Sequence, residues 1–406
     1  MKTSAFALGL LATLVLPSAL AVNQEIRALF QPDPNQPNKN VFVNKTPNSG
    51  YCGEHPEQCV DNKMFSIQLP LRFNSNRALR PGDGLPLKVP ANWRQLTVTH
   101  AGTQESETVE VRVIGIGSDF VLSDSAANLV GVSDILDGHQ KLWTTSSWVY
   151  APAPCQYSGV GWYTPQTYRF FWKAPLEAPC TKTAAYAIPS MSFRTIDFAY
   201  ELRTPNPLGM STGQYTGSLV YTIGPGGDFD FGPLMTPDDN NLTLDFVLDV
   251  QHVLKVDLPP GGNKVILEPQ GGWQSWLEQG RKPVRLFRDQ MFYIWASSRF
   301  RMSLECEMQV NRGCGVMNRG SPTTYAAEVT VSVSLPPGLT DSNGQPVRNM
   351  PVTHTPSDQI QIGNYVDRKP GFLHFNVDEQ QTKFIIDYDR GNPWRGNFTV
   401  IFDSEV

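Results

Sequence analysis

Proline and glycine interrupt this sequence so often that no long helix can run through it. Of its 406 residues, 33 are proline and 33 are glycine. Proline removes a backbone hydrogen-bond donor and glycine is entropically costly inside an element, so both disfavour long helices. Aromatic residues, which favour strands, make up 11% of the chain. The sequence therefore predicts an all-β fold of short strands joined by turns.

The charge balance argues against a nucleic-acid-binding protein. Lys and Arg total 33 against 38 Asp and Glu, which gives a formal net charge of −5. Nucleic-acid-binding proteins need a basic surface to neutralise phosphates, and the composition supplies no basic excess. With 40% hydrophobic and only 17% charged residues, the chain is too apolar to be disordered. We expect folded domains, and the length favours two of them.

The first 21 residues have the features of a secretory signal peptide. Lys2 gives a positive start to an apolar run over residues 5–16, which is too short to span a bilayer stably. Ala19-Leu20-Ala21 then matches the small-x-small pattern that signal peptidase cleaves. We expect cleavage after Ala21 and export of the mature chain through the periplasm.

Six cysteines fall into three local pairs. They are Cys52 and Cys59, Cys155 and Cys180, and Cys306 and Cys314. In an oxidising compartment, an even number of cysteines at such spacings predicts three short-range disulfides. Zinc is the alternative, but no C-x-x-C motif occurs and His55 is the only histidine close to a pair. We expect no metal and no cofactor.

Hydrophobic alternation with a period of two marks strands along both halves of the chain. In residues 107–116, for example, Val109, Val111 and Val113 share one face. Residues 22–50, rich in Asn, Pro and Gln, read as an extended lead-in. The second half predicts strands at 252–258, 264–268, 299–305, 326–335, 372–377, 382–387 and 396–403. Helix signals are confined to residues 274–281 and, more weakly, 123–136.

Aromatic residues concentrate between positions 143 and 172. They are Trp143, Trp148, Tyr150, Tyr157, Trp162, Tyr163, Tyr168, Phe170, Phe171 and Trp172. Sugar rings stack on exposed aromatic faces, with a few polar groups to bind their hydroxyls. The alternative is that most of these rings fill the core of a β-sandwich. We select Tyr157, Trp162, Tyr163 and Arg169 as candidate contacts for such a ligand.

Motifs for catalysis are missing from the sequence: it has no G-x-S-x-G, no H-E-x-x-H and no P-loop. Asp228 and Asp230 form the best carboxylate pair, because residues two apart on a strand share a face. Glycosidases and calcium sites use such pairs. Alternation with Phe229 and Phe231 explains the same pattern as a polar face opposite an apolar one. We expect no catalytic residue and no enzyme, with a secreted β-sandwich hydrolase as the alternative.

The chain's final strand has Phe398, Val400 and Phe402 on one face. An apolar strand with an unpaired edge is an aggregation hazard unless another chain completes it. Strand addition by a partner is one known solution. An ordinary, paired sandwich edge is the alternative at this point.

In the order and spacing of these features the chain resembles the tip adhesins and minor pilins of class 5 (alternate chaperone–usher) fimbriae, the CfaE-like and CblD-like family. The resemblance rests on the loops Cys52 to Cys59 and Cys155 to Cys180, and on residues 213–223, 265–269 and 396–402. The chain departs from CFA/I-type adhesins at Pro225-Gly226-Gly227, where they carry an arginine-rich patch. Cys306 and Cys314 also stand at positions not expected in that family.

The resemblance implies two immunoglobulin-like β-sandwiches in tandem. An adhesin domain would cover residues 22–248 and a pilin domain residues 251–406, with a linker at 249–250. The pilin domain would lack one strand, donated first by a periplasmic chaperone and then, at the outer-membrane usher, by the major pilin subunit. The groove for that strand would be lined by Leu254, Val256, Leu258, Phe398, Val400 and Phe402. The chaperone would anchor the carboxylate of Val406.

The same resemblance implies a fimbrial tip adhesin on the cell surface, whose first domain binds a host-cell glycan or glycoprotein. The alternative within this family is a structural minor pilin that initiates assembly without binding a receptor.

Overall fold

A computed structural model describes residues 22–318, 325–389 and 391–404. Within them the chain forms two β domains, each around its own hydrophobic core. The predicted all-β class is therefore confirmed. The predicted signal segment 1–21 and the predicted chaperone anchor Val406 lie outside the described residues. In the part of the chain that is described, no helix is long and apolar enough to cross a membrane.

The first domain consists mainly of strands, with four short α-helices between them. Its strands are β1 (Val22–Phe30), β2 (Val43–Asn44), β3 (Ile67–Leu69), β4 (Phe73–Ser75), β5 (Gly84–Leu87), β6 (Arg94–His100), β7 (Ser106–Leu122), β8 (Gly161–Tyr163), β9 (Thr167–Lys173), β10 (Cys180–Thr183), β11 (Met191–Arg203), β12 (Gly213–Thr222), β13 (Met235–Pro237) and β14 (Asn241–Val250). The helices are α1 (Tyr51–Glu54), α2 (Pro56–Asp61), α3 (Ala126–Val130) and α4 (Ile135–Lys141), and a 3₁₀ turn covers Pro207–Gly209.

The main sheet of this domain has the strand order β13-β4-β11-β7-β6-β12-β14-β1-β2, with β3, β8 and β9 attached to it. Its alternating strands bury one face: along β14, every second residue from Leu242 to Val250 is buried. The strand extends to Val250, so regular structure continues through the linker predicted at 249–250.

The first strand of the domain, β1, pairs with one edge of β14. β1 runs parallel to β14 over its whole length, from Val22 opposite Leu242 to Phe30 opposite Val250. β12 pairs antiparallel with the other edge of β14. The lead-in predicted for residues 22–50 is thus wrong for its first nine residues, which are a strand of the main sheet. Both edges of β14 are paired within the chain.

The second domain has a larger and two smaller sheets. Its strands are β15 (Leu254–Asp257), β16 (Leu286–Ala296), β17 (Phe300–Cys306), β18 (Gln309–Val310), β19 (Gly313–Asn318), β20 (Tyr325–Ser334), β21 (Leu339–Thr340), β22 (Met350–Val352), β23 (Gln361–Ile362), β24 (Val366–Val377), β25 (Trp394–Arg395) and β26 (Phe398–Ser404). Its helices are α5 (Gln274–Gln279) and α6 (Glu379–Asp387). The larger sheet has the order β15-β16-β24-β20-β19-β18, and β26 pairs with β17 in a sheet of two strands.

Helix α6 corrects the strand predicted at 382–387. Asp378 caps its first turn by accepting a hydrogen bond from the backbone N–H of Gln381. This N-terminal hydrogen bond starts a helix. The apolar residues, which look strand-like in isolation, then recur with the period of a helix. The segment 264–268, also predicted as a strand, makes only a single bridge, between Glu268 and Phe287.

All three local cysteine pairs form disulfides, as predicted: Cys52 with Cys59, Cys155 with Cys180 and Cys306 with Cys314.

Candidate functional site

On the outer face of the first domain's sheet, two glycines of β7 make room for the ring of Phe171. A Cβ on either Gly115 or Gly117 would lie 2.6 Å from the ring of Phe171, so only glycine lets this ring lie across the strand. Phe171 forms a small second core there with residues from neighbouring segments. This core contains Tyr51, Cys52, Cys59, Val160, Phe171 and Ala199.

Residues 50–62, which we call the cap, lie over this small core. They contain α1 and α2 and are closed by the Cys52–Cys59 disulfide. The backbone N–H of Tyr51 donates to Asp197 Oδ2 at 2.9 Å, and that of Cys52 donates to Ser66 Oγ at 2.9 Å. Hydrogen bonds at both positions fix the cap on the sheet, because each one satisfies a buried amide.

Gly50 permits the approach of the cap to Asp197. Its φ of +66° is in the left-handed region that favours glycine, and a Cβ there would lie 2.3 Å from Asp197 Oδ1. A larger residue would push the cap away from the carboxylate.

An ion pair lies beneath the cap. Arg169 Nη2 is 3.2 Å from Asp197 Oδ2 and 3.4 Å from Glu54 Oε1. Asp197 is fully buried, and burial raises the pKa of its carboxyl group to about 6, against the opposing effect of Arg169. The guanidinium of Arg169 and the backbone N–H of Tyr51 both oppose this rise in the pKa of Asp197, because they favour the ionised carboxylate. Arg169, a predicted receptor contact, is itself buried, so it holds the cap from below rather than lying on the surface.

The two predicted contacts on β8 point to opposite faces of its hairpin with β9. Trp162 pairs with Arg169 and Tyr163 with Tyr168. The indole of Trp162 is 56% exposed and stacks on His55 of the cap, with ring centroids 5.4 Å apart. Trp162, His55 and Arg169 thus meet on one face, while exposed Tyr163 stacks on Tyr168 on the other.

Tyr157 belongs to a third stacked pair. It is exposed and lies 6.0 Å from the exposed ring of Tyr150, nearly parallel to it. The other aromatic residues of the segment are buried: Trp143, Trp148, Tyr168, Phe170, Phe171 and Trp172. We refer to Tyr150, Tyr157, Trp162 and Tyr163 as the aromatic surface. Some aromatic rings of residues 143–172 fill the core and others are exposed, so the core interpretation and the surface interpretation each apply to part of the segment.

Lys182 supports the aromatic surface from inside. Its side chain is fully buried, and Nζ donates to the carbonyl oxygens of Thr145, Ser146 and Ser147 and to Thr145 Oγ1, at 3.0–3.1 Å. Ser147 Oγ in turn accepts from the hydroxyl of Tyr168. The ammonium group therefore fixes the turn that leads into Trp148 and Tyr150. Sequence analysis missed this residue, because nothing in the pattern separates it from a solvated lysine.

Asp228 and Asp230, the carboxylates considered for hydrolysis, accept hydrogen bonds that stabilise a turn. Asp228 accepts from the N–H and the hydroxyl of Thr222, and Asp230 accepts from the N–H groups of Gly226 and Gly232. Arg94 also pairs with Asp228 at 2.9 Å. Within the described ranges, no group of three His, Cys, Asp or Glu residues could hold a metal ion.

The second domain differs from the first at its final strand. β26 pairs with β17 along one edge, and no described residue pairs with its other edge. Phe398, Val400 and Phe402 pack against the core but stay only half-buried. The corresponding residues of β14 in the first domain are covered by strands on both sides.

The other predicted groove residues lie at the first strand of this domain. Leu254 and Val256 on β15 are half-buried against the same core. Leu258 follows the end of β15 and is exposed.

Substituting Gly117 with alanine is expected to destabilise the first domain by about 1–3 kcal/mol, a typical cost of overpacking. Its new Cβ would lie 2.4 Å from the carbonyl oxygen of Phe170, which is backbone and cannot move aside. Gly226→Ala is the matched control, since nothing lies within 4 Å of a Cβ there, although its φ of +80° adds some strain. Denaturant unfolding measures both. Equal losses of unfolding free energy in the two variants would show that Gly117 is not tightly packed against β9.

No known sequence family and no curated protein matches this chain. Solved structures do resemble it. CfaE, the adhesive subunit of the CFA/I fimbria of enterotoxigenic Escherichia coli, is 9% identical and superposes over 95% of both chains with a TM-score of 0.27. A chain of a chaperone–tip adhesin complex of CFA/I fimbriae biogenesis is 11% identical, with 95% of this chain and 97% of that one covered and a TM-score of 0.25.

The structural neighbours are fimbrial tip adhesins. Another is from the CsuC–CsuE chaperone–tip adhesion subunit pre-assembly complex of archaic chaperone-usher Csu pili of Acinetobacter baumannii. It is 9% identical, with 83% of this chain and 91% of that one covered and a TM-score of 0.19. Because these TM-scores are below 0.5, the function proposed below rests on the geometry of this chain.

Proposed function

We propose that this protein is a fimbrial tip adhesin and assembly initiator. Its first domain binds a host-surface glycan or glycoprotein, and its second domain joins the pilus by donor-strand complementation. The observation that carries this proposal is the contrast between the two final strands. β14 has a partner on both edges, whereas among the described residues β26 has a partner on one edge only, and its apolar face is half-covered.

A strand from another chain fits this open edge. Main-chain hydrogen bonds to β26 would supply affinity, and alternating side chains would cover Phe398, Val400 and Phe402. Without such a strand, an exposed apolar edge promotes aggregation. A periplasmic chaperone, the outer-membrane usher and a major pilin subunit are the partners that would protect and then extend this edge. The assembled protein would then stand at the fimbrial tip on the cell surface.

The proposed receptor site is centred on the exposed ring of Trp162, the part of the aromatic surface that lies beside the cap; Tyr163 points to the opposite face of the hairpin. Carbohydrate recognition combines stacking on aromatic faces with hydrogen bonds from a few fixed polar groups. The exposed indole of Trp162 stacks on the ring of His55. The Arg169–Asp197 pair beneath the cap, with the hydrogen bond from Tyr51 to Asp197, keeps His55 in place. The site is thus built before ligand binding, which reduces the entropy cost of association.

Replacing Trp162 with alanine is expected to lower binding to receptor-bearing cells at least tenfold while leaving the yield of exported protein unchanged. An exposed ring contributes to binding, but little to folding. Tyr186→Ala is the matched control, because Tyr186 is also exposed but lies outside the aromatic surface. Cell binding by the purified full chain is the measurement. Undiminished binding by folded Trp162→Ala would remove this surface from the receptor site.

A further inference from the structure

The cap beside Trp162 is acidic. Between Gly50 and Lys63 the sequence has three carboxylates, Glu54, Glu57 and Asp61, and Lys63 as its only lysine or arginine. The side chain of Glu54 is 55% exposed while it contacts Arg169. Any group that stacks on Trp162 next to His55 therefore approaches a carboxylate.

Two guanidinium groups on this side of the sheet, those of Arg169 and Arg194, are already paired with carboxylates. Arg169 contacts both Asp197 and Glu54. Arg194 pairs with Asp119, which lies opposite Arg169 in the pairing of β7 with β9. Recognition of a sialic acid carboxylate or a sulfate relies on charge-assisted hydrogen bonds, above all from arginine. Each of these two arginines is already paired with a carboxylate of the chain itself, and Arg169 is also buried.

We infer that the ligand of the aromatic surface is a glycan with a neutral terminal sugar, and that sialylated or sulfated glycans are disfavoured. This inference rests on the proposed function, since it specifies the ligand of the same site. A ligand carboxylate about 6 Å from Glu54 would lose roughly threefold in affinity from repulsion alone in a water-like dielectric. Stacking on Trp162 and hydrogen bonds that sugar hydroxyls donate to carboxylates favour the neutral sugar.

A glycan array of matched pairs, each ending in galactose or in the same chain capped by sialic acid, tests the inference with the full mature chain. We expect at least threefold stronger binding to the neutral member of a pair, and undiminished or increased cell binding after sialidase treatment. Preference for the sialylated members would overturn the inference and leave the receptor function standing. Absence of binding to any glycan by folded protein would overturn both.

Substitution of Glu54 by glutamine tests whether the charge of this side chain lowers the affinity for sialylated glycans. The variant keeps the size of the side chain and a hydrogen-bonding oxygen but removes the charge. It is expected to narrow the difference between neutral and sialylated members of a pair by roughly threefold. Glu201→Gln, at an exposed carboxylate paired with Arg112, is the matched control and should leave the ratio unchanged. An unchanged ratio in Glu54→Gln would contradict the role assigned to this carboxylate.

A separate observation concerns the first residue of β1. The backbone nitrogen of Val22 donates to Asp239 Oδ2 at 3.1 Å, at the end of β1 that pairs with the start of β14. Val22 is also the residue that follows the predicted cleavage site at Ala21. The other end of β1 reaches the junction with the second domain: the carbonyl of Phe30 accepts from the N–H of Gln251.

We propose that signal-peptide cleavage completes the attachment of β1 by creating an ammonium group on Val22 that pairs with Asp239. A free α-amino group has a pKa of about 7.7–8.0, so it is largely charged at neutral pH. A charge-assisted hydrogen bond is roughly twice as strong as one from a neutral amide. The processed chain therefore holds β1, and through it the edge of β14, more firmly than the precursor does.

Thermal unfolding of the full mature chain tests this pairing. Asp239→Asn, and acetylation of the α-amine in the wild type, should each lower Tm by about 2–4 °C. In the Asp239→Asn variant, acetylation of the α-amine should not lower Tm any further. Asp238→Asn is the control: its carboxylate accepts from the N–H of Arg72, so acetylation should still lower Tm in that variant. Equal effects of acetylation in wild type and Asp239→Asn, or none in the wild type, would overturn the proposal.

Discussion

Replacing Asp197 with alanine is expected to destabilise the first domain by about 3–5 kcal/mol, which is the usual cost of leaving one partner of a buried ion pair alone. Arg169 would keep its charge in a site that is only 11% exposed, with Glu54 as its remaining acidic partner. The backbone N–H of Tyr51 would lose its acceptor as well. The cap would then detach from the sheet, and the support of Trp162 by His55 with it.

Denaturant unfolding of the full mature chain, followed by tryptophan fluorescence, measures this loss. Two variants separate the ion pair from general effects of losing a carboxylate. Glu201→Ala removes an exposed carboxylate paired with Arg112 and should change stability by no more than about 0.5 kcal/mol. Adding Arg169→Met to Asp197→Ala should restore part of the lost stability, because it removes the orphaned charge. A loss below about 1 kcal/mol in Asp197→Ala would contradict this role.

Replacing Lys182 with methionine is expected to cost about 2–5 kcal/mol in the same unfolding measurement. The substitution keeps the length of the side chain, but leaves the carbonyl oxygens of Thr145, Ser146 and Ser147 without their shared donor. A buried acceptor left unsatisfied, as the carbonyl oxygen of Ser147 would be, costs about 1–3 kcal/mol, and the half-buried acceptors of the turn add less. Because the turn leads into Tyr150, the variant should also bind receptor-bearing cells more weakly.

Lys173→Met is the matched control for this prediction. Lys173 lies at the end of β9 with an exposed side chain, so its loss should be nearly neutral. Equal stabilities of the two variants would show that the hydrogen bonds donated by Lys182 Nζ contribute nothing net.

Local patterns predicted the features that depend on neighbouring residues. The alternation of Val109, Val111 and Val113 marks β7, whose inner face is buried. Short cysteine spacings, in a chain that we expected to be exported, predicted the disulfides. The density of proline and glycine predicted the all-β class. Each of these signals is contained in a window of a few residues, or in composition.

Features that depend on distant residues could not be read in this way. The partner of β1 is more than 200 residues away, and its own alternation does not show which strand it pairs with. Asp197 and Lys182 are polar residues within strands, which the pattern places in solvent and the fold places inside. The alternation of Gly115 and Gly117 was a usable signal, because two glycines on one face of a strand indicate close approach by another segment.

The most direct test of the proposed function is the behaviour of the second domain with and without a donor strand. The full chain would be produced in the periplasm either unmodified or with an alternating apolar peptide from the candidate major pilin fused beyond Val406. Yield, oligomeric state and cooperativity of unfolding are the measurements. We expect the fused chain to be a soluble monomer that unfolds cooperatively, and the unmodified chain to aggregate or be degraded, because only the fused strand covers Phe398, Val400 and Phe402. Equal stability of two monomeric forms would mean that the second domain is complete by itself, and would contradict assembly by donor-strand complementation.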